Sequence, residues 1–340
     1  MSRRRSRVAL SIGCPCGIGP EVSVVAALES KDSILLVGDL EVIRAAARRC
    51  GLDPHRFVAV DAADDSWPRS PKTVGVHSPS PLLAMSDCRP GKPTRNSGVA
   101  QLLWINTACD LVSRSMADAM VTGPVSKDVI AQSGAKGARK FTGHTEHLAR
   151  RLGANEVVMA FWNERFTTSL VTTHLPLSRV PTSISKTKVA SSIYWTAEFL
   201  ARIHRKRRTS LAVAALNPHA GEGGLLGNEE ERIICPGIVL GRERLRGMRV
   251  DVEGPVPTET AFRLANAGKY DGVVAMYHDQ ATIPMKLVGF GESVNVTLGL
   301  PIIRTSVDHG TAYDLAGRGK ADATGMREAI ALAVRLGGVG

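Results

Sequence analysis

The fold and the chemistry of this chain centre on residues 272–322, which read GVVAMYHDQATIPMKLVGFGESVNVTLGLPIIRTSVDHGTAYDLAGRGKAD. An apolar, strand-like run at residues 272–276 leads into His278 and Asp279. A second apolar run ends at Arg304, and a glycine-rich segment follows it. Imidazoles and carboxylates bind metals, guanidinium groups bind anions, and glycine-rich turns approach phosphates closely. We therefore expect an enzyme whose site is assembled around this stretch.

Three histidines occupy the same kind of position in the sequence. His174 and His219 closely follow apolar, strand-like runs, as His278 does. Because ligands gather at the carboxyl ends of parallel strands, the three imidazoles form a candidate site for a divalent cation. Alternatively, each is a structural histidine, and for three with the same placement the two interpretations are comparable. His144 and His147, one helical turn apart, form a competing pair.

Strand-like runs alternate with helical patterns along the chain. Residues 7–12 and 117–122 are apolar runs, and each ends at a glycine-containing turn before a helical pattern. This recurrence predicts an α/β fold with a mostly parallel sheet and crossover helices. The first turn, residues 13–21, is neither a dinucleotide fingerprint nor a P-loop. It is either a ligand-binding helix N-terminus or a tight structural turn.

Composition indicates an ordinary globular protein. The chain has 340 residues, of which 44% are hydrophobic and 22% charged, and this length allows two domains. No apolar run approaches the ~20 residues that cross a bilayer, and none resembles a signal peptide core. We therefore expect a cytoplasmic protein without a membrane partner. Six scattered cysteines without a CxxC pair are expected to be free thiols.

The net charge of +11 and the pI of about 9.7 raise the question of nucleic-acid binding. The positive charge is mostly dispersed, aromatic residues make up only 4% of the chain, and no zinc-finger or helix-turn-helix pattern is present. Nucleic acid is therefore not an expected partner. Attraction of anionic substrates, or simply an arginine-rich surface, explains the charge better. Arg304 supports an anionic ligand because it directly follows the apolar residues 301–303.

Several longer motifs are distributed along the chain. They are residues 17–21, 122–125, 141–146, 172–177, 216–224, 276–280 and 298–322. Together these motifs resemble the PdxA family, the 4-hydroxythreonine-4-phosphate dehydrogenases of vitamin B6 (pyridoxine) synthesis, over nearly the whole chain. Residues 309–319 also resemble the adenosine-binding loop of isocitrate and isopropylmalate dehydrogenases.

The resemblance implies the fold of those dehydrogenases. Two α/β domains with mostly parallel sheets would flank an active-site cleft. We expect residues 1–127 and 303–340 to form the first domain, which carries the nucleotide loop. Residues 128–302 would form the second domain, which carries the metal ligands and the dimer interface. The resemblance also implies a homodimer in which both subunits contribute metal histidines.

The resemblance assigns roles to individual residues. The divalent metal, zinc, magnesium or cobalt, would be held by His174, His219 and His278. Adenosine contacts of NAD or NADP would come from His309, Gly310 and Asp322. Proximity to His278 makes Lys286 and Asp279 candidates for the general base, although ordinary surface charge is the default interpretation of Lys286. The contacts to the phosphorylated substrate would be His144, Thr145, Lys286, Asn295 and Arg304.

The implied reaction is oxidation of 4-phosphohydroxy-L-threonine to 2-amino-3-oxo-4-phosphooxybutanoate, followed by decarboxylation to 3-amino-2-oxopropyl phosphate. This places the protein in pyridoxal 5'-phosphate biosynthesis. The first turn departs from the family pattern because Cys14 and Cys16 flank Pro15, where an acidic residue and an alanine are usual. D-threonate or D-erythronate 4-phosphate is therefore an alternative substrate, and a cis-dihydrodiol carboxylate a weaker one. A non-catalytic basic binding protein with this fold is the alternative from another class.

Overall fold

The computed structural model describes residues 5–62, 67–68, 72–80, 83–204, 208–289 and 291–338. The chain divides into two compact units. The terminal unit comprises the chain up to Asn155 together with the segment from Leu300 onward. The central unit is Glu156–Gly299.

Twelve strands are present in the described residues. They are β1 (Arg7–Ser11), β2 (Ser33–Val37), β3 (Phe57–Ala59), β4 (Val74–His77), β5 (Ala119–Thr122), β6 (Val158–Trp162), β7 (Thr167–Leu170), β8 (Thr209–Ala214), β9 (Val250–Val256), β10 (Gly272–Ala275), β11 (Val294–Leu298) and β12 (Arg304–Val307).

Eleven α-helices connect or cover these strands in the part of the chain described. They are α1 (Gly19–Glu29), α2 (Leu40–Arg49), α3 (Arg95–Ser113), α4 (Lys127–Gln132), α5 (His144–Leu152), α6 (Val180–Ser183), α7 (Lys186–His204), α8 (Cys235–Arg244), α9 (Thr258–Asn266), α10 (His278–Val288) and α11 (Thr324–Gly337).

The terminal unit is built on a parallel sheet. Its strand order is β3-β4-β2-β1-β5-β12, and every neighbouring pair runs parallel. Val8 and Leu10 of β1 and Leu35 of β2 are fully buried. Strands covered by helices on both faces read as continuous apolar runs, which explains the sequence pattern. Asp39 caps α2 by accepting hydrogen bonds from Glu41 N and Val42 N.

The central unit has a mixed sheet in the order β11-β6-β7-β10-β8-β9. β10 runs parallel to β7 and β8, and β8 runs parallel to β9, whereas β6 is antiparallel to both β7 and β11. Phe166, Phe262 and Tyr270 belong to its buried core. With eight of the ten pairings parallel, the predicted mostly parallel α/β class is confirmed.

The boundary between the units differs from the one predicted at residue 127. The chain leaves the terminal unit after Asn155 and returns to it at Leu300. Helix α5 stays with the terminal unit because its side chains bond to α3. His147 Nε2 lies 2.7 Å from Asn106 Oδ1, and Arg151 pairs with Asp110 at 2.6 Å. Such long-range polar contacts leave no local pattern in the sequence.

None of the helices in the described residues combines the length and hydropathy that a bilayer crossing requires.

Candidate active site

Arg304 is the buried cation of the terminal unit. It lies at the start of β12, and only 3% of its surface is exposed. Its Nε and Nη2 atoms donate to Thr122 Oγ1 at 3.1 and 2.6 Å. Burial lowers the pKa of Arg304 to about 9, and the nearby Glu146 carboxylate acts in the opposite direction. The guanidinium therefore stays charged at neutral pH, and an anion placed against it would be strongly favoured.

His144, the first residue of α5, lies in the same electrostatic environment. Burial, followed by the positive charge of Arg304, holds its pKa well below the usual range, so the imidazole is neutral. Its Nε2 atom is buried and has no hydrogen-bond partner among the described atoms. Thr145 follows it and is also buried. A buried polar atom without a partner is rare in native proteins, and here it fits a ligand that supplies the missing bond.

His147 has a structural explanation. Its ring lies 5.3 Å from the Phe141 ring, centroid to centroid, and its Nε2 is bonded to Asn106. Burial and then Arg150 and Arg151 lower its pKa to about 4. The His147 nitrogen is therefore engaged in packing α5 onto α3, and the structure lends no support to a ligand shared with His144.

The candidate nucleotide loop, residues 308–322, holds the three predicted cofactor contacts. His309 Nδ1 lies 3.0 Å from Gly310 O. Asp322 accepts hydrogen bonds from Thr324 N and Oγ1, which lower its pKa, and His309 contributes to the same shift. A Cβ added at Gly310 would meet no described atom within 4 Å. All three residues are exposed on this loop.

Cys14 and Cys16 lie in the first turn and are both fully buried. Cys14 Sγ is 3.4 Å from Tyr313 Oη, and Cys16 Sγ donates to Asp87 O at 3.2 Å. Hydrogen bonding from Cys16 lowers the pKa of Cys14 to about 7. The same interaction raises the pKa of Cys16. Cys14 therefore packs the first turn against the candidate nucleotide loop, whereas Cys16 bonds it to the segment at Asp87.

In the central unit, the ends of β7 and β10 bring two of the predicted metal ligands together. The His174 and His278 rings are 5.3 Å apart, centroid to centroid. His278 Nδ1 lies 2.7 Å from Asp279 Oδ1. A carboxylate at Nδ1 orients an imidazole so that its Nε2 atom can face a metal ion. Thr172 N and Oγ1 both donate to Met276 O, which locks the two strand ends together.

His219 lies in an unusual backbone segment after β8. Six consecutive residues, 219–224, have positive φ, with values of 52°, 56°, 83°, 45°, 64° and 95°. Three of them are not glycine, and each such residue is strained by about 1 kcal/mol or more. The buried carboxylate of Glu230 holds the preceding turn by accepting from Leu216 N and Asn217 N, both at 2.8 Å. Strain retained in this way is typical of functional segments.

The three predicted metal ligands do not form a complete metal site within the part of the chain that the structure describes. No group of three His, Cys, Asp or Glu side chains there is arranged to hold a metal ion. His174 and His278 form a pair, and His219 lies apart from any such group.

Comparison with known proteins gives the family. The family profile described as pyridoxal phosphate biosynthetic protein PdxA matches residues 30–333. The chain belongs to the PdxA family. This confirms the identification made from the motifs.

Individual PdxA relatives agree over nearly the full length. A protein from Desulfosudis oleivorans named 4-hydroxythreonine-4-phosphate dehydrogenase is 41% identical over 334 residues, 97% of this chain and 96% of the relative. The structure of a 4-hydroxythreonine-4-phosphate dehydrogenase from Klebsiella pneumoniae has a TM-score of 0.84 at 34% identity and covers 99% of both chains. A terephthalate 1,2-cis-dihydrodiol dehydrogenase from Burkholderia xenovorans has a TM-score of 0.67 at 29% identity, covering 98% of this chain and 99% of its own. These comparisons do not favour the alternative substrates.

The residues assigned from the PdxA resemblance divide between the two units. The terminal unit holds His144, Thr145, Arg304 and the three cofactor candidates. The central unit holds the three predicted metal ligands together with Asp279, Lys286 and Asn295. Lys286 is exposed in the last turn of α10, and Asn295 is half-buried in β11 opposite Phe161.

Sequence reasoning missed three polar groups of this PdxA chain. Thr122 and Lys127 surround the Arg304 and His144 cluster, and Glu21 bonds to the nucleotide loop. Thr122 and Glu21 stand in motifs quoted for the family resemblance, and that position was the only available signal. Their roles depend on contacts between distant segments, which no local spacing reveals.

Proposed function

We propose that this chain is an NAD- or NADP-dependent, divalent-metal-dependent 4-hydroxythreonine-4-phosphate dehydrogenase. It would oxidise 4-phosphohydroxy-L-threonine at its secondary alcohol to 2-amino-3-oxo-4-phosphooxybutanoate, which then decarboxylates to 3-amino-2-oxopropyl phosphate. The observation that carries the proposal is the buried cation Arg304 beside the unpartnered Nε2 of His144, in a chain of the PdxA family. We place the enzyme in the cytoplasm.

The phosphate is the group that the terminal unit would bind. Arg304 presents a desolvated guanidinium, and charge-assisted hydrogen bonds to phosphate are about twice as strong as neutral ones. His144 and Thr145 add neutral polar groups beside it. Lys286 and Asn295 of the central unit are the further proposed substrate contacts. Binding energy from the phosphate would fix the secondary alcohol for reaction.

The histidines of the central unit fit a divalent cation by their chemistry. Neutral imidazoles are common ligands of divalent transition metals, and His278 already has the carboxylate partner that metal-binding histidines usually have. We propose His174, His219 and His278 as the ligands of zinc, magnesium or cobalt. Such a cation supplies Lewis-acid stabilisation of negative charge that develops on oxygen.

We infer that a homodimer completes the three-histidine metal site, with one subunit contributing His219 and the other contributing His174 and His278. Several large apolar side chains of the central unit are exposed, which supports an interface there. Leu225 is 83% exposed and Leu287 81% exposed, and further members are Leu175, Leu177, Leu226, Val239, Leu240 and Ile283.

NAD or NADP would accept the hydride, with its adenosine part on the loop that carries His309, Gly310 and Asp322. The hydroxyl proton must leave in the same step. Of the two candidate bases, Asp279 is engaged by His278 Nδ1 and serves to orient that ring. We therefore propose that Lys286 Nζ, as the neutral amine, accepts this proton and becomes the ammonium.

Formation of NADH, followed by its absorbance, tests this proposal. The purified protein is offered 4-phosphohydroxy-L-threonine, D-threonate 4-phosphate and D-erythronate 4-phosphate, each with NAD or NADP and with or without a chelator. We expect chelator-sensitive turnover of the first substrate above the other two. Turnover of a sugar-acid phosphate instead would reassign the substrate, and no turnover of any would reject the proposal.

A further inference from the structure

Glu21 is a buried carboxylate that the proposed reaction does not use. It lies in the first turn of α1 and is only 2% exposed. Its Oε1 accepts a hydrogen bond from Gly317 N at 2.7 Å, and its Oε2 accepts one from Gly319 N at 3.0 Å. Both oxygens therefore bind the backbone of one short segment nearly 300 positions later in the chain.

The segment that Glu21 holds has little conformational choice. Gly317 and Gly319 both have positive φ, of 85° and 63°. A Cβ added at Gly317 would lie 2.7 Å from Pro90 side-chain atoms, and one at Gly319 would collide with the Arg49 carbonyl oxygen. Amide groups in such a tight turn need a fixed acceptor, because they cannot join a helix or a sheet. The Glu21 carboxylate is that acceptor.

The first turn, residues 13–21, contacts the candidate nucleotide loop at a second point. Ile18 N donates to Thr311 O at 3.0 Å, and a Cβ at Gly17 would lie 2.8 Å from that same oxygen. The stretch that includes Ala312, Tyr313 and Asp314 is thus held at both ends. His309 and Gly310 lie just before the first fastening point, and Asp322 lies just after the second.

We propose that Glu21 is a positioning residue for nicotinamide cofactor binding. It acts through Gly317 and Gly319 to hold the loop that presents His309, Gly310 and Asp322. This inference rests on the proposed function, because it takes the loop as the adenosine contact. Because both carboxylate oxygens of Glu21 bond to the loop backbone, its removal should weaken cofactor binding and leave the chemistry of the bound complex unchanged.

The test compares Glu21→Gln with Glu29→Gln, which lies on the same helix and removes an exposed carboxylate paired with Arg327. Glutamine keeps one acceptor oxygen and turns an amide NH2 toward the other backbone N–H, so one hydrogen bond is lost and the other no longer has a charged acceptor. We expect the KM for NAD and the dissociation constant for NADH, measured by fluorescence, to rise about 10-fold in Glu21→Gln. We expect kcat and the KM for the phosphorylated substrate to stay within about 2-fold, and Glu29→Gln to match wild type.

Unchanged NADH affinity in a folded Glu21→Gln protein would overturn the inference. An equal rise in both KM values would overturn it too, since that indicates general damage. If Glu21→Gln does not fold, Glu21→Asp, which keeps the charge but shortens its reach, is measured with the same expectations. Wild type that binds neither NADH nor NADPH would instead reject the proposed function.

Discussion

The two units differ in how far the side chains discussed above are exposed to solvent. In the terminal unit, Arg304 and Glu21 are 3% and 2% exposed and are bonded to neighbours within that unit. In the central unit, His174 and His219 are exposed, and Asp279 is 71% exposed. The terminal unit therefore holds these two side chains in place before any ligand binds, as a preorganised anion and cofactor site of the kind proposed above requires. The central unit leaves these proposed metal-site residues exposed.

Among the variants, the largest loss of activity is expected from a substitution of Arg304 in the terminal unit. Arg304→Lys keeps a positive charge but loses the planar donors that bond to Thr122 and fit a phosphate. We expect kcat/KM for the phosphorylated substrate to fall about 100-fold or more, in steady-state NADH assays. Arg263→Lys, an exposed pair with Glu259 on α9, is the matched control. Near-wild-type activity of Arg304→Lys would remove the guanidinium from the site.

A smaller loss is expected when the orientation of His278 is disturbed. Asp279→Asn removes the carboxylate that lies 2.7 Å from His278 Nδ1. We expect metal affinity, measured by calorimetry with Co²⁺ or Mg²⁺, to fall about 10-fold to 100-fold. His55→Asn, an exposed histidine elsewhere in the chain, should leave it unchanged. A collapse of kcat with unchanged metal affinity would instead make Asp279 the general base.

The turn that leads into the strained segment at His219 gives a stability test. Glu230→Gln weakens the acceptor of Leu216 N, Asn217 N and Asn217 Nδ2. We expect a loss of about 2 kcal/mol in the free energy of unfolding, measured in urea. Glu231→Gln, the exposed neighbour, should lose almost nothing. Equal stabilities of the two variants would show that Glu230 does not hold the turn.

The smallest effect concerns pH. The folded pKa of His147, about 4, is below its usual 6.5. Between these values the unfolded chain binds a proton that the folded chain does not, so stability falls as pH falls through this window. Because the ring is half-buried, we expect the loss at His147 to be about 1–2 kcal/mol. His147→Gln keeps a donor for Asn106 and should reduce the slope of unfolding free energy against pH. His55→Gln should not, and identical slopes in all three proteins would refute the assignment.

Residues at strand ends could be found from the sequence. An apolar run followed by a histidine places that histidine at a sheet edge, and His174 and His278 do lie together. The apolar residues before Arg304 predicted its burial in the same way. These inferences succeed because strand periodicity is a local property.

The rest depended on contacts between distant segments. Glu21 and Glu230 are charged residues that sequence patterns assign to the surface, yet both are buried because backbone N–H groups surround them. The positive φ of Ala220 and Glu222 has no signal in residue type. The extension of the terminal unit to Asn155 follows from the bonds between α5 and α3.

The measurement that tests the central claim most directly compares two substrates on the wild-type protein. 4-Phosphohydroxy-L-threonine and the same amino acid without phosphate are each assayed for NADH formation with metal present. If the buried Arg304 and His144 cluster selects the phosphate, kcat/KM should be higher for the phosphorylated substrate by about 1000-fold. Equal kcat/KM values would contradict the account, because the preorganised anion site would then contribute nothing to substrate choice.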